Sequence, residues 1–290
     1  MTSARREPFQ PPRFGTDGLR GHAGDPPLDP ETLRRVGAAL GIWLQRSGPE
    51  VKRVVLGNDG RDSASWILDA LAQGLAATEV ATVDVGLCTT PALAFLARTQ
   101  PFVAGVMISA SHNVATDNGV KIFDTAGRKL ADAAEREIER LTASTSFQPA
   151  SEVRTRSKPE LLDHYVEWLA NHFPGLDLDG VTVVVYAANG GASELAPTVL
   201  RGLSADVVAI ACEPDGSNIN AGCGALHPEN IVATVKESGA VLASASTATA
   251  IAASSSTIAA SCTTAMRFSP RSLRASAPNA VSPRTPWSPR

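Results

Sequence analysis

The stretch Gly105-Val-Met-Ile-Ser-Ala-Ser-His-Asn113, followed by Asp117-Asn-Gly-Val-Lys-Ile-Phe123, decides how the first half of this chain folds. Its apolar run ends abruptly in small polar residues, and a second apolar run follows the Asn118-Gly119 turn. The pattern predicts two strands, with Ser111 at the end of the first. A serine placed there is a nucleophile, a phosphate carrier or an ordinary turn residue, and for an isolated Ser-His-Asn the turn is favoured.

Strand and helix signals alternate on both sides of this loop. Strands are predicted at 54–57, 81–85 and 103–108, and helices at 62–76, 90–98 and 130–141. The alternation returns further on, with strands at 181–186 and 207–211 and helices at 161–173, 193–203 and 229–238. Strands that alternate with helices predict an α/β fold, with two consecutive domains of mixed, mostly parallel sheets covered by helices.

These signals divide the chain into five segments. We expect a flexible arm at 1–12, a first domain at 13–145, a linker at 146–158, a partial second domain at 159–240 and a disordered tail at 241–290. The tail has no Asp, Glu, Lys or Gly, and 29 of its 50 residues are Ala, Ser or Thr. Such a segment buries too little apolar surface to offset the entropy lost on ordering it.

The composition is typical of a globular protein from a reducing compartment. The hydrophobic fraction is 43%, the charged fraction is 19% and the net charge is −3. This balance gives no electrostatic reason to expect a nucleic acid or a membrane as partner, and it leaves the oligomeric state open. The four cysteines form no C-x-x-C pair and the first residues lack an apolar signal core. We therefore expect a cytoplasmic protein without a disulfide scaffold or a structural zinc site.

Two further loops have residues suited to binding phosphate. The loop 13–21 has three glycines that allow tight turns, and its Arg20 offers a bidentate fork for phosphate oxygens. The loop 57–63 follows a predicted strand and leads into a helix, where open α/β sheets bind ligands. The alternative for each is a plain surface turn, or a helix cap in the second case.

The residues around Ser111 disfavour a serine hydrolase. Ser111 lies between Ala110 and His112 instead of in a Gly-x-Ser-x-Gly elbow. Adjacent residues at a strand end point apart, so His112 is poorly placed to deprotonate Ser111. A phosphate carrier is better supported, because the cations Arg20, Arg61 and Lys121 can converge on the loop.

The order of these motifs resembles the α-D-phosphohexomutase superfamily. The matching segments are Phe14-Gly-Thr-Asp-Gly-Leu-Arg-Gly21, Gly86-Leu-Cys-Thr-Thr-Pro91 and Ile108-Ser-Ala-Ser-His-Asn113 with Asp117-Asn-Gly-Val-Lys121. Glu213-Pro-Asp-Gly-Ser-Asn-Ile-Asn-Ala-Gly-Cys-Gly224 is similar to the second-domain signature of the bacterial phosphoglucosamine mutases. The Ser-Ala-Ser-His-Asn wording points the same way, and the resemblance covers residues 12–240.

The resemblance implies an isomerase that interconverts glucosamine 6-phosphate and glucosamine 1-phosphate for UDP-N-acetylglucosamine and cell-wall precursor synthesis. It implies that Ser111 is a phosphoserine, which donates its phosphoryl group to the sugar phosphate and recovers one from a bisphosphate intermediate. Mg²⁺ would bridge the seryl phosphate to three aspartates of a second-domain loop, and glucose or glucosamine 1,6-bisphosphate would be the activator. The other implied site residues are His112, Lys121 and Arg20 in catalysis and Thr16, Arg61 and Asn113 in substrate or phosphate binding.

The chain departs from this family mainly after Ala240. The local departures are Val114 in place of a proline, Gly57-Asn-Asp-Gly-Arg61 with one cation fewer, and Tyr186-Ala-Ala-Asn-Gly190 in place of Asp-x-Ala-Asn-Gly. Beyond Ala240 we expect the metal aspartates and the later sugar- and phosphate-recognition loops to be missing, so that this chain alone is inactive. The alternatives are a non-catalytic remnant that binds a sugar phosphate or a partner, and a phosphomannomutase/phosphoglucomutase.

A one-base frameshift near Ala240 explains the tail. Residues 246–252 can be encoded TCG ACG GCG ACG GCG ATC GC, and the same bases preceded by one T and regrouped read Phe-Asp-Gly-Asp-Gly-Asp-Arg, the expected metal loop. We predict that the gene, read in the other frame from this point, encodes a phosphohexomutase-like continuation. Sequencing the gene checks this, and an alternative frame without such a continuation would contradict it.

Overall fold

Two sheets covered by helices make up the described chain, which in this computed structural model comprises residues 9–46, 52–144, 150, 153, 155–225, 227–246 and 253–255. The strands are β1 (Leu19–His22), β2 (Arg53–Asn58), β3 (Ala81–Leu87), β4 (Ala104–Ile108), β5 (Asp117–Phe123), β6 (Thr155–Ser157), β7 (Thr182–Tyr186), β8 (Asp206–Ile210), β9 (Leu242–Ser246) and β10 (Ala253–Ser255). The helices are α1 (Pro30–Gln45), α2 (Ala64–Ala76), α3 (Thr90–Thr99), α4 (Asp132–Ser144), α5 (Asp163–His172), α6 (Ala192–Gly202) and α7 (Pro228–Ser238). A short 3₁₀ turn, Pro159–Leu162, leads into α5.

The first sheet has the strand order β1-β5-β4-β2-β3-β6, and the second has β10-β9-β7-β8. In the first sheet β4, β2, β3 and β6 are parallel, while β5 runs antiparallel to β4 and β1 antiparallel to β5. In the second, β7 pairs in parallel with β8 and β9, and β10 is antiparallel. The predicted fold class, mixed and mostly parallel sheets covered by helices, is confirmed.

The first sheet is buried on both faces by helices. One face packs against α1, α2 and α4, and the other against α3 together with Leu195 of α6. The two helix starts at Asp29 and Thr89 follow from local chemistry, because each side chain caps the helix and a proline occupies its first turn. Each large apolar side chain buried in this way contributes about 1.5–3 kcal/mol. Within the described residues, no helix combines the length and apolarity that crossing a bilayer requires.

Strand β1 and helix α1 were not among the predicted elements. The pair Asp29-Pro30 marks the start of α1, because Asp29 caps the helix and Pro30 lies in its first turn. The buried residues Leu33, Val36, Leu40 and Leu44 repeat at helical spacing. Strand β1 overlaps the end of the glycine-rich loop 13–21, whose composition is typical of a turn and not of a strand. It forms because Leu19 and Arg20 pair with Val120 and Gly119 of β5.

The prediction of a linker at 146–158 is wrong for residues 155–157. These residues form β6, which extends the first sheet by pairing with β3, and Thr82 and Thr155 share a hydroxyl–hydroxyl hydrogen bond of 2.7 Å. A Ser/Thr-rich sequence was mistaken for a linker because an edge strand needs main-chain partners more than apolar side chains. Residues 145–149, 151–152 and 154 lie outside the described residues.

The two predicted disordered ends also differ from the structure in part. Residues 242–246 form β9 alongside β7, where small side chains suffice because Ala243 and Ala245 pack under α7, and residues 253–255 form β10. At the start of the chain, Phe9 lies under the guanidinium of Arg35 at 4.3 Å and Pro12 is buried. The rest of the predicted arm and tail, residues 1–8, 247–252 and 256–290, lies outside the described residues.

Helices α1 and α2 cross at two glycines, and this crossing gives a test of the fold. A Cβ at Gly37 would clash with the carbonyl of Leu71, and one at Gly74 would clash with that of Arg34. We predict that Gly37→Ala lowers the free energy of unfolding by about 1–3 kcal/mol, because the helices must move apart. Urea denaturation followed by circular dichroism measures this.

The matched control is Gly202→Ala. Gly202 also lies in a helix, but a Cβ added there would have no heavy atom of another part of the chain within 4 Å. Its free energy of unfolding should stay the same or rise by about 0.5–1 kcal/mol, since alanine favours a helix over glycine. Equal losses in the two variants would show that the helix crossing is not packed as described.

Candidate active site

Ser111 lies in the turn that joins β4 to β5, and its backbone is held from both sides. Its φ is +58°, in the left-handed region that a serine adopts at a cost of about 1–2 kcal/mol. The amide of Ser111 donates to Ser109 Oγ at 2.9 Å. Its carbonyl accepts from Arg61 Nη2 at 3.1 Å and from Asn220 Nδ2 at 2.8 Å. The turn is therefore a fixed structure and not a freely moving surface loop.

Arg61 holds this turn in place through hydrogen bonds to its backbone carbonyls. Its Nε donates to Asp59 Oδ2 at 3.2 Å, and its four terminal N–H groups donate to the carbonyls of Ser111, Asn113, Val114 and Asp117. All five donors of the guanidinium are used, and its side chain is fully buried. Arg61 was predicted to bind phosphate, but the structure directs its fork to backbone carbonyls, so it shapes the loop instead.

Asp59 anchors the guanidinium and the strand end together. Its Oδ2 also accepts from Ser109 Oγ at 2.6 Å, and Ser109 in turn accepts the Ser111 amide. Burial raises the pKa of Asp59, and the charge of Arg61 and the hydrogen bonds from Ser109 and Arg61 oppose this shift. The contacts with Arg61 thus offset part of the cost of burying this carboxylate.

Arg20 and Lys121 bring positive charge to the same end of the sheet. Arg20 on β1 donates to Asn113 Oδ1 at 3.4 Å and forms an ion pair with Asp17 at 3.0 Å. Its Nε is buried and has no partner among the described residues. Lys121 on β5 is buried, and desolvation followed by repulsion from Arg20 lowers the pKa of its ammonium.

Of the remaining predicted site residues, Asn113 and His112 lie in the turn itself and Thr16 lies in the loop before β1. Asn113 is half-buried and donates to Asp117 Oδ2 at 2.9 Å, which leaves its Oδ1 to Arg20. His112 is exposed, as expected for a residue that alternates with buried Ser111. Thr16 is exposed at the tip of the turn that Gly15 and Gly18 close with reciprocal backbone hydrogen bonds.

Sequence reasoning did not select Asp59, Ser109 or Asn220, although all three shape the Ser111 turn. Asp59 and Ser109 stand in quoted motifs, and a carboxylate two residues before a buried arginine is the signal that would have found Asp59. Asn220 comes from the second domain, 109 residues from Ser111 in sequence, so no local pattern pointed to it.

The described residues do not provide a metal site. No group of three or more His, Cys, Asp or Glu side chains that could hold a metal ion occurs in the described part of the chain. Of the carboxylates beside the turn, Asp59 accepts hydrogen bonds from Arg61 and Ser109 through its Oδ2, and Asp117 accepts one from Asn113. The described donor set therefore does not fit the predicted Mg²⁺. Residues 247–252, where sequence analysis places the family's metal loop, are outside the described chain.

Comparison with known proteins gives the same relatives by sequence and by structure. The family model for phosphoglucomutase/phosphomannomutase, alpha/beta/alpha domain I, matches residues 11–149. The chain is 45% identical over 230 residues to the phosphoglucosamine mutase of Jannaschia sp. (strain CCS1), covering 78% of this chain and 52% of the relative. It is 46% identical over 223 residues to that of Solibacter usitatus (strain Ellin6076), covering 74% and 48%.

The fold agrees with a solved structure from the same group. A phosphoglucomutase/phosphomannomutase family protein of Burkholderia thailandensis superposes with a TM-score of 0.73 at 26% identity, covering 84% of this chain and 54% of that one. The chain spans about half the length of the curated relatives it matches. By domain model, sequence and fold together, the chain is similar to phosphoglucomutase/phosphomannomutase family proteins, and its residues 11–149 match their alpha/beta/alpha domain I.

Proposed function

We propose that this chain is the phosphoserine-bearing part of a phosphoglucosamine mutase-type isomerase, in which Ser111 accepts and returns a phosphoryl group. The observation that carries the proposal is the Ser111 turn, in which Ser111 has a left-handed backbone conformation and which leads into β5, the strand that carries Lys121 and pairs with the Arg20 strand β1. An ordinary turn would not need a buried arginine whose five donors are all used to shape it. The named relatives support a glucosamine phosphate as the substrate.

The proposed reaction is an exchange at phosphorus. In the first step the phosphoserine gives its phosphoryl group to a free hydroxyl of glucosamine 6-phosphate or 1-phosphate. The P–O bond to Ser111 Oγ breaks, a P–O bond to the sugar forms, and the proton of the sugar hydroxyl passes through a base to the departing Oγ. In the second step the Ser111 hydroxyl attacks the other phosphate of the bisphosphate and gives its proton to the base, which passes it to the leaving sugar oxygen. Such transfer depends mostly on positioning and on neutralising oxygen charge.

The two cations flanking the turn fit these needs differently. Arg20 is partly exposed and presents a guanidinium fork suited to phosphate oxygens. Lys121 is the better candidate for moving a proton, because its lowered pKa brings a neutral amine closer to physiological pH. Exposed His112 is the second candidate for that step. Magnesium, the bisphosphate activator and a cytoplasmic location stay predictions from the resemblance and the sequence.

A phosphorylation assay on the 290-residue chain tests the proposal, because it follows the transfer at Ser111 alone, whereas complete mutase turnover is expected to be absent from this chain. We predict that incubation with glucose 1,6-bisphosphate and Mg²⁺ adds one phosphoryl group, detected by intact mass and mapped to Ser111. Ser111→Gly should add none, and glycine tolerates the left-handed φ, so the turn is preserved. Ser144→Ala, which removes an exposed helical serine, should be phosphorylated like the wild type.

Two outcomes would overturn the assignment. The first is an unmodified wild-type protein, and the second is equal labelling of Ser111→Gly. Discharge of the labelled protein compares substrates: glucosamine 6-phosphate should take the phosphoryl group faster than mannose 6-phosphate or glucose 6-phosphate. A preference for mannose 6-phosphate would instead favour the phosphomannomutase alternative.

The lowered pKa of Lys121 predicts a pH dependence of stability. The folded protein releases the Lys121 proton below the ordinary lysine pKa of 10.5, whereas the unfolded chain keeps it up to that value. In this window the unfolded state binds more protons, so the free energy of unfolding of the wild type should rise with pH relative to Lys121→Met. Urea denaturation of both proteins from neutral pH to about pH 10 measures the difference.

Phosphorylation of Ser111 should reduce this rise, because a nearby phosphate stabilises the charged ammonium. A stability difference between wild type and Lys121→Met that stays constant with pH would contradict the assignment of a buried, desolvated lysine. A rise that phosphorylation leaves unchanged would place Lys121 too far from the phosphate to act in the transfer.

A further inference from the structure

The segment Glu213–Gly224 of the second domain, here called the clamp loop, contacts the first domain through two polar contacts. The carbonyl of Gly216 accepts from the Asp62 amide at 3.1 Å. The Asp62 carboxylate lies so close to the Gly216 backbone that a Cβ at Gly216 would overlap it. Further along, Asn220 Nδ2 donates to the carbonyls of Ser111 at 2.8 Å and Asn113 at 2.9 Å. The clamp loop therefore reaches the base of the Ser111 turn.

The two carbonyls that Asn220 binds are the same two that Arg61 Nη2 binds, at 3.1 Å and 2.9 Å. A carbonyl oxygen has two lone pairs, so each accepts one hydrogen bond from each partner. Arg61 belongs to the first domain and is present whatever the second domain does. Asn220 belongs to the second, so its pair of hydrogen bonds forms only while the two domains are docked.

Asn220 is itself held in place for this contact. Its φ is +57°, and its amide donates to the carbonyl of Ala188 at 3.0 Å. Within the clamp loop, Asn218 Nδ2 donates to the Glu213 carbonyl at 2.8 Å, and Asp215 Oδ1 accepts from the amide of Asn218 at 2.8 Å. These internal hydrogen bonds hold the clamp loop in one conformation. The side-chain amide of Asn220 therefore reaches the Ser111 turn without further ordering cost.

We infer that Asn220 is a positioning residue for the phosphoserine, which couples docking of the second domain to the conformation of the Ser111 turn. Without its amide, each of the two carbonyls loses one hydrogen bond and keeps that of Arg61, and the peptide units that follow Ser111 gain freedom to rotate. Phosphoryl transfer is sensitive to displacements of about 1 Å in the reacting oxygen. The clamp loop thus acts on catalysis through the backbone of the Ser111 turn. This catalytic consequence rests on the proposed function, whereas the structural coupling does not.

Hydrogen exchange tests the coupling independently of any activity. The variants are Asn220→Asp, which keeps the shape but has no donor, and Asn220→Gly, which keeps the positive φ and removes the side chain. Both should exchange the amides of Ser111, Asn113 and Asp117 about tenfold faster than the wild type, the effect of losing one or two hydrogen bonds. Asn230→Asp is the matched control, because the side-chain amide of Asn230 donates to Tyr186 Oη and to the Gly222 carbonyl, both in the second domain. Unchanged exchange in both Asn220 variants would overturn the inference.

The rate of Ser111 phosphorylation by glucose 1,6-bisphosphate tests the consequence. The Asn220 variants should lower the maximal rate about tenfold or more while the half-saturating bisphosphate concentration changes little, because positioning and not binding is lost. A merely structural role would reduce the fraction of protein that reacts and leave the rate of that fraction unchanged, which would contradict the inference. If the wild type itself takes no phosphoryl group, the proposed function fails, and the exchange experiment still decides the coupling.

Discussion

The buried guanidinium of Arg61 is the interaction on which the candidate site depends. It joins the carboxylate of Asp59, at the end of β2, to four carbonyls of the turn between β4 and β5. A buried charge of this kind is costly unless every donor finds an acceptor, and here every donor does. The conformation of the turn is thereby linked to the position of the neighbouring strand. The left-handed φ of Ser111 is the part of that conformation a serine would not adopt unaided.

Close backbone approach is the second constraint, and glycine supplies it. A Cβ at Gly119 would lie 2.6 Å from the Ser109 carbonyl oxygen and 2.8 Å from that of Leu19, so any side chain there would separate β1 from the Ser111 turn. The pairing of β1 with β5 is what places Arg20 beside Asn113. The motif 117–121 therefore contributes a packing requirement as well as the cation at its end.

Much of the fold could be predicted because its signals are local. The buried strands β2 and β4 are continuous apolar runs. The start of α3 is marked by Thr89, which caps the helix, and by Pro91 in its first turn. Strands β6 and β9 escaped prediction because their Ser-, Thr- and Ala-rich sequences lack a hydrophobic pattern. They form through main-chain pairing with β3 and β7, which is a property of the assembled sheet. Composition is a poor guide to a short strand when its neighbour supplies the partners.

The site shows the same division between local and assembled information. Ser111, Arg20 and Lys121 could be selected because their residue types and motifs suit phosphate chemistry. The part played by Arg61 could not, because an arginine that binds phosphate and one that binds carbonyls look alike in a sequence. The distinction arises from burial, since a fully buried guanidinium must find its acceptors within the protein.

Two kinds of contact dock the domains, and they have different consequences for the site. Apolar packing of Leu195 and Tyr165 near Phe95 holds the second domain to α3, and its strength does not depend on the state of the Ser111 turn. The hydrogen bonds of Asn220 add little area but are directional, because the amide must face two carbonyls at once. Non-directional burial thus supplies most of the docking energy, and directional bonds convert docking into a defined geometry. The twelve-residue clamp loop resembles a family signature in its sequence. Positioning the Ser111 turn through Asn220 is a physical role for this loop that does not depend on contact with the sugar.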